Sequence, residues 1–340
     1  MYFIHLCLLK NNDMIKKLLY FSFAVFFTAC SDDDPEKTKV VLSNLDNKEI
    51  TSIVLDNFNK LWVGTDSGLY CQVEAGYELQ DVVAATKILS LGYEKASNTL
   101  WVGTSNGLTK CTITDGVLSG TGIDAAKLSS NKVYASHIDA KSIRWFGTAS
   151  GPTMNKDDKW KKENLLVNAL DEYINLEFAK SQVNAIASWD GDVYFATSGK
   201  IIYRAYGYNE SLDAFTGASQ LSSPYNGPCL SDTMNAVFVD SQNRIWMGGN
   251  SGLQFIVGHE TKSPDIFGFT ENDLPSARIH AIAEGKDGRL WVGTEKGLAI
   301  LENQTWTAKT SGLPNLYVTA IAFDKDGKAW VGTKKGLVKL

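Results

Sequence analysis

VTAIAFDKDGKAWVGTKKGLVKL, Val318 to Leu340, contains the unit from which most of this chain is written. Val318 to Phe323 is an apolar, β-prone run. Asp324-Lys325-Asp326-Gly327 reads as a tight turn, because Asp bonds its own backbone and Gly accepts positive φ. Ala329 to Thr333 is a second strand, Lys334-Lys335-Gly336 a second turn, and Leu337 to Leu340 a third strand. Runs this short, joined by tight turns, predict an antiparallel meander. A fourth strand follows in several copies, for instance around Trp306.

The copies align on an aromatic residue: Trp62, Trp101, Trp145, Tyr194, Trp246, Trp291 and Trp330. The intervals are 39, 44, 49, 52, 45 and 39 residues. Four short antiparallel strands repeated seven times predict an all-β, seven-bladed β-propeller. Blades that face each other bury both faces of each sheet, which explains the continuous apolar strands. The aromatic is then a wedge between blades, and the Gly of the WVGT phrase allows a close approach. Helical periodicity is absent from Leu42 onward except over Leu165 to Lys180. Because Leu340 ends a third strand, the last blade lacks its outer one. Lys39 to Ser43, KVVLS, is expected to supply it and close the ring.

The first residues read differently. Met14-Ile15-Lys16-Lys17 is a basic start and Leu18 to Phe27 an apolar run too short to span a bilayer. Residues 1–29 are expected to be a signal peptide, with 1–13 an over-called start. Phe27-Thr28-Ala29-Cys30 resembles the lipobox of bacterial lipoproteins, with Cys30 the lipidated residue. Residues 30–37 would be an acidic tether, whose Ser31-Asp32-Asp33-Asp34 resembles the stretch that marks surface lipoproteins in Bacteroidetes; a plain solvated tether is the other reading. The propeller would occupy 38–340. The full chain carries net charge −5. Without residues 1–29 it has 30 basic and 37 acidic side chains, a charge of −7. That balance, with no basic cluster, argues against a nucleic-acid partner. Cys71, Cys111 and Cys229 are expected to be buried or inert thiols, and no spacing suggests zinc.

The pattern V-x-A-I-x-x-D-x-x-G-x-L-W-V-G-T-x-x-G-L resembles the two-component regulator propeller repeat. The resemblance covers residues 38–340 and departs at Gly151-Pro152 in blade three and VYFATSGKII in blade four. It implies the ligand-sensing part of hybrid sensor kinases and an extracellular, carbohydrate-related role. The chain as given ends at the propeller, with no kinase or DNA-binding segment.

Asp56-Asn57-Phe58-Asn59, Asp240-Ser241-Gln242-Asn243 and Asp324-Lys325-Asp326-Gly327 look like fragments of a calcium loop, but their place between strands makes them hairpin turns. His137 and His259 lack a nucleophile motif nearby, and no G-x-S-x-G occurs. His280 is second in its innermost strand, where the copies read Thr51, Leu89, Tyr134, Asn184, Asn235, His280 and Thr319. Six of these seven carry polar groups and should gather at one mouth of the central channel. Such a ring is either a ligand site or the polar lining of a wet channel. Long connections over Lys159 to Ser181 and Tyr206 to Thr233 should reach the same face. Their aromatics, Trp160, Tyr173, Tyr206, Tyr208 and Tyr225, would stack on a ligand such as a sugar ring, or pack the loops onto the scaffold.

These readings converge on a non-catalytic outer-membrane lipoprotein, facing the periplasm or the cell surface. It would be a monomeric propeller held by Cys30 that binds a glycan, another ligand or a protein partner. No catalytic residue, metal or cofactor is assigned. Two alternatives remain: a lyase- or hydrolase-type enzyme at the channel mouth, and an envelope scaffold. Virginiamycin B lyases are similar in blade size, and His280 with Glu284 is the weak pair that an enzyme would use.

Overall fold

Alternating inward and outward residues cannot bury a strand on both sides; the LWVGT runs and their variants AWVGT, RWFGT, VYFAT and IWMGG can, and they form the second strand of each blade. In the computed structural model, residues 40–41, 45–74, 76–84, 86–166, 178–199, 202–221, 233–257, 266–270 and 272–340 are described. They form seven four-stranded antiparallel sheets. Blade 1 is β2 (Ile50–Leu55), β3 (Leu61–Thr65), β4 (Gly68–Val73) and β5 (Gly76–Leu79). Blade 2 is β6 (Ile88–Glu94), β7 (Thr99–Thr104), β8 (Gly107–Thr114) and β9 (Val117–Gly122). Blade 3 is β10 (Val133–Ile138), β11 (Arg144–Thr148), β12 (Gly151–Lys156) and β13 (Lys159–Lys161). Blade 4 is β14 (Val183–Trp189), β15 (Asp192–Thr197), β16 (Ile202–Asn209) and β17 (Ala214–Gln220). Blade 5 is β18 (Met234–Val239), β19 (Arg244–Gly249), β20 (Leu253–Val257) and β21 (Ile266–Phe269). Blade 6 is β22 (Ile279–Glu284), β23 (Leu290–Thr294), β24 (Gly297–Glu302) and β25 (Thr305–Lys309). Blade 7 is β26 (Val318–Phe323), β27 (Ala329–Thr333), β28 (Gly336–Lys339) and, from the other end of the chain, β1 (Val40–Val41).

The first strands β2, β6, β10, β14, β18, β22 and β26 contact one another in turn, and β26 returns to β2. They are the inner wall of the ring. β1 pairs antiparallel with β28, Val40 opposite Lys339 and Val41 opposite Val338, so the expected closure by KVVLS is present. Ala125–Lys127 forms a 3-10 turn.

Each letter of the repeat has a structural task. Trp62, Trp101, Trp145 and Trp246 are at most 1% exposed, and losing such a side chain typically costs about 3–5 kcal/mol. The indole Nε1 donates to the carboxylate of the preceding turn: Trp62 to Asp56 at 3.0 Å, Trp145 to Asp139 at 3.1 Å and Trp246 to Asp240 at 2.7 Å. The other oxygen of Asp56 accepts from Phe58 N and Lys60 N, both at 2.9 Å; Asp240 and Asp324 repeat the pattern. The apparent calcium-loop fragments are therefore turns that fill their carboxylates with backbone donors. The Thr of WVGT accepts from the amide two residues on and donates to the carbonyl three residues on, as Thr65 does to Gly68 O at 2.8 Å. The glycine at that turn takes φ +139° at Gly68 and +119° at Gly336, a region closed to most side chains.

The Gly of WVGT meets the first residue of the next inner strand. A Cβ at Gly64 would lie 2.7 Å from Ile88, at Gly293 2.7 Å from Val318, and at Gly332 2.5 Å from Ile50. Blade 4 has Ala196 at this place, and its neighbour in the core is the flexible Met234 rather than Ile or Val.

Candidate ligand site at the channel mouth

Every inner strand carries a β-bulge at its second residue. The register with the neighbouring strand shifts between Ile50 and Ser52, Ile88 and Ser90, Val133 and Ala135, Val183 and Ala185, Met234 and Ala236, Ile279 and Ala281, and Val318 and Ala320. The skipped residues are Thr51, Leu89, Tyr134, Asn184, Asn235, His280 and Thr319. A bulge re-aims a side chain and removes it from the ladder, so these residues do form a ring at one end of the inner wall.

Their polar groups do not all remain available. Asn184 Nδ2 donates to Met234 O at 2.8 Å and Asn235 Nδ2 to Ile279 O at 3.0 Å. Thr319 Oγ1 donates to Ile50 O. In each case the acceptor is the first residue of the next blade, so these three side chains latch blade to blade. Thr51 Oγ1 and His280 Nε2 are buried with no hydrogen-bond partner.

Around His280 the charges gather. The Tyr317 ring stacks on the imidazole with centroids 4.5 Å apart and planes at 22°. Glu295 Oε1 is 3.7 Å from His280 Nε2 and 3.3 Å from Arg278 Nη1. Lys334 Nζ stands 3.6 Å above the Tyr317 ring. Burial is the main cause that holds the His280 pKa below its ordinary value; Lys334 and Arg278 push the same way and Glu295 opposes. A depressed pKa favours the neutral ring, with one nitrogen donating and the other accepting. Arg278 and Tyr317 each precede an inner strand, and Glu295 and Lys334 each follow a WVGT phrase. Sequence reading missed these four. The available signal was that the repeat is least uniform at those two places.

Glu284, the sequence-level partner of His280, lies at the other end of β22 and bonds Ser241 N at 2.8 Å and Ser241 Oγ at 2.6 Å. The acid near His280 is Glu295 instead.

The loop placement of three aromatics needs correction. Trp160 is in β13, stacked on Phe146 at 5.7 Å and edge-on to Trp101 at 6.2 Å. Tyr206 and Tyr208 are in β16, whose pairing with β17 extends to Asn209 opposite Ala214. The segment read as a loop begins as a long hairpin. Because β16 runs away from the bulge ring, Tyr208 lies by the turns of the opposite face: its hydroxyl donates to Asp213 at 3.0 Å, and Lys141 Nζ is 5.4 Å from its ring. Tyr206 covers Gly217, where a Cβ would fall 2.3 Å from the tyrosine ring. Tyr173, Tyr225, His259, Cys229, Cys30 and most of the Leu165 to Lys180 segment lie outside the described residues.

His137 Nε2 lies 2.8 Å from Ser188 Oγ on the next inner strand, and burial lowers its pKa to about 4. Cys71 and Cys111 are buried free thiols, and burial pushes Cys111 up to about 12. Both are poor nucleophiles in that state. No helix among the described residues is long and apolar enough to cross a membrane.

A closed ring of seven four-stranded blades, carrying a mostly polar bulge ring at one mouth, defines a seven-bladed repeat propeller. The model of the two-component regulator propeller family matches residues 44–67, 273–296 and 312–335, so three of the repeats are similar to that family's repeat. Among solved structures the chain is similar to the extracellular domains of two hybrid two component systems of B. thetaiotaomicron. One matches at 16% identity and TM-score 0.67, over 89% of this chain and 39% of that one; the other at 17% and 0.66, over 86% and 39%. The chain thus spans about two fifths of those domains. It is also similar to a virginiamycin B lyase of Staphylococcus aureus solved with quinupristin, at 17% identity and TM-score 0.66 over 89% of this chain and 97% of that one. At these identities the likeness is one of fold. No curated protein matches the chain.

Proposed function

We propose that the protein is a non-catalytic, ligand-binding propeller of the cell envelope that takes its ligand at the bulge mouth between blades 6 and 7. The observation that carries this reading is His280. Where Asn184, Asn235 and Thr319 spend their polar groups on the next blade, His280 keeps a buried Nε2 unpaired beside Glu295, Arg278, Tyr317 and Lys334. Such a mixture of donors, acceptors and one aromatic ring suits a polyhydroxylated ligand such as a glycan, or a polar loop of a protein partner. The repeat family and the extracellular neighbours support a place outside the cytoplasm. In this reading Cys30 carries the lipid, residues 30–37 are the tether, and the propeller works as a monomer.

A lyase-like enzyme is the second reading, favoured by the virginiamycin B lyase likeness and by the 3.7 Å approach of His280 to Glu295. Thermal-shift screening against glycans, metal ions and metabolites separates the two, since a ligand of the folded state raises Tm. One glycan class should raise Tm, and Tyr317→Ala should abolish the shift. A metal-dependent shift with turnover that His280→Ala removes would favour the enzyme. A shift that survives both Tyr317→Ala and Lys334→Ala would remove the mouth from consideration.

A further inference from the structure

Between blades 5 and 6, at the turns of the face opposite the bulges, lies a cleft of about 720 Å³. That is an ordinary size for a small-molecule site. Nothing in the repeat pattern requires it, and it is remote from the channel-mouth residues in every element that lines it.

Its blade 5 wall is built around Arg244. The Asp240 side chain beneath it is wholly buried. One Asp240 oxygen accepts from Gln242 N and Arg244 N, both at 2.9 Å. The other accepts from Trp246 Nε1 at 2.7 Å and Arg244 Nε at 2.5 Å. The guanidinium lies 5.0 Å from the Trp246 ring centroid and 5.4 Å from that of Phe255. Arg244 is thus held by one edge and by its faces. Its Nη1 and Nη2 bond no described residue, and the side chain is 20% exposed and borders the cleft. A planar fork with an anchored Nε and an open Nη pair is the geometry that receives a carboxylate with two parallel hydrogen bonds.

Two aromatic residues, Phe255 and Phe269, also line the cleft. They run nearly parallel, with planes at 20° and centroids 6.3 Å apart. Behind them, outside the lining of the cleft, Trp306 stands edge-on to Phe269 at 5.3 Å. Across the cleft, Asn303 and Gln304 form the β24–β25 turn with φ of 48° and 63°. Asp287 and Glu302 also border the cleft. Asp287 is committed to Arg289 at 2.6 Å, and the Glu302 charge also acts on Arg289.

We propose that this cleft binds a small carboxylic acid with a flat apolar body, its carboxylate on the Arg244 Nη pair and its ring against Phe255 and Phe269. The site is separate from the channel mouth and does not depend on the function proposed for it.

Isothermal titration of the full chain with benzoate, benzamide and acetate tests this directly. Benzoate should bind, and benzamide and acetate should each bind at least about tenfold more weakly. This comparison uses the wild-type protein alone. Arg244→Lys keeps the charge near Asp240 but loses the fork, and should weaken benzoate at least about tenfold while Tm stays within a few degrees. Equal binding of benzamide and benzoate would overturn the carboxylate assignment. So would an absence of heat up to about 10 mM benzoate, or benzoate affinity unchanged in a folded Arg244→Lys protein.

Discussion

At Gly103 a methyl group would fall 2.2 Å from Ser90 Oγ and 2.7 Å from Val133 O. Ser90 could rotate, but the Val133 carbonyl belongs to the inner strand of the next blade and cannot. Gly103→Ala should therefore destabilise the protein by about 1–3 kcal/mol, the usual range for overpacking a core. Gly122 is the matched comparison, since nothing lies within 4 Å of its Cβ position. Gly122→Ala should change stability by no more than about 0.5 kcal/mol. Urea unfolding midpoints of the two variants, read at equal m, check the pair. Equal effects would mean that the WVGT glycine is not there for the close approach.

The turn of blade 6 differs from its fellows. Where blades 1, 3, 5 and 7 have Asp56, Asp139, Asp240 and Asp324, blade 6 has Gly285. On the following strand Trp291 Nε1 is buried without a hydrogen-bond partner; Trp330 Nε1 of blade 7 is too, where the Asp324 oxygen faces Lys339 instead. Gly285→Asp would place an acceptor where blades 1, 3 and 5 hold the one that receives the indole. Against it stand the Asp287 carboxylate, paired with Arg289, at 2.6 Å from the new Cβ and the Phe323 ring at 3.3 Å. Asp287 is about half exposed, so it and the Arg289 paired with it can shift together into solvent; Phe323 need give only a few tenths of an ångström. Satisfying a buried donor and removing a glycine's freedom together outweigh that crowding. Gly285→Asp is expected to stabilise by about 1 kcal/mol, seen as a higher Tm. A lower Tm would show that Phe323 cannot move and that the glycine serves the contact between blades 6 and 7.

Across the whole ring, the first and last strands of the propeller meet in one blade. β1 contributes only Val40 and Val41, but they cover the edge of β28 at Lys339 and Val338. The ring is also tied at its inner wall, where Thr319 of blade 7 reaches Ile50 O of blade 1. Removing β1 should therefore loosen the closure without opening the ring. A chain that starts at residue 45 should melt about 2–5 °C below one that starts at residue 39 and should associate more readily through its bare edge. Calorimetry and light scattering of the two chains give the answer; identical melting and scattering would leave β1 with no part in closure.

Much of this was legible in the residues. Seven copies of one phrase, four of them Trp–Val–Gly–Thr and three variants of it, determine strand length, turn type and blade number, because each requirement is local: a turn needs its Asp or Gly within a few residues. Even the closing strand could be read, since a blade short of one strand must find it elsewhere in the chain. The candidate site was legible only as a position. Periodicity placed Asn184, Asn235, His280 and Thr319 on one ring, yet which of them latch onto a neighbour and which stay open depends on contacts between blades some 44 to 269 residues apart in sequence. Trp160, Tyr206 and Tyr208 were misplaced for a related reason. A long interval between repeats looks the same in sequence whether it is a loop or an extended hairpin, and only the pairing of β16 with β17 decides. The cluster of Glu295, Arg278, Tyr317 and Lys334 and the cleft at Arg244 arise from the ring itself, which brings together the variable residues of adjacent copies that the repeat keeps apart.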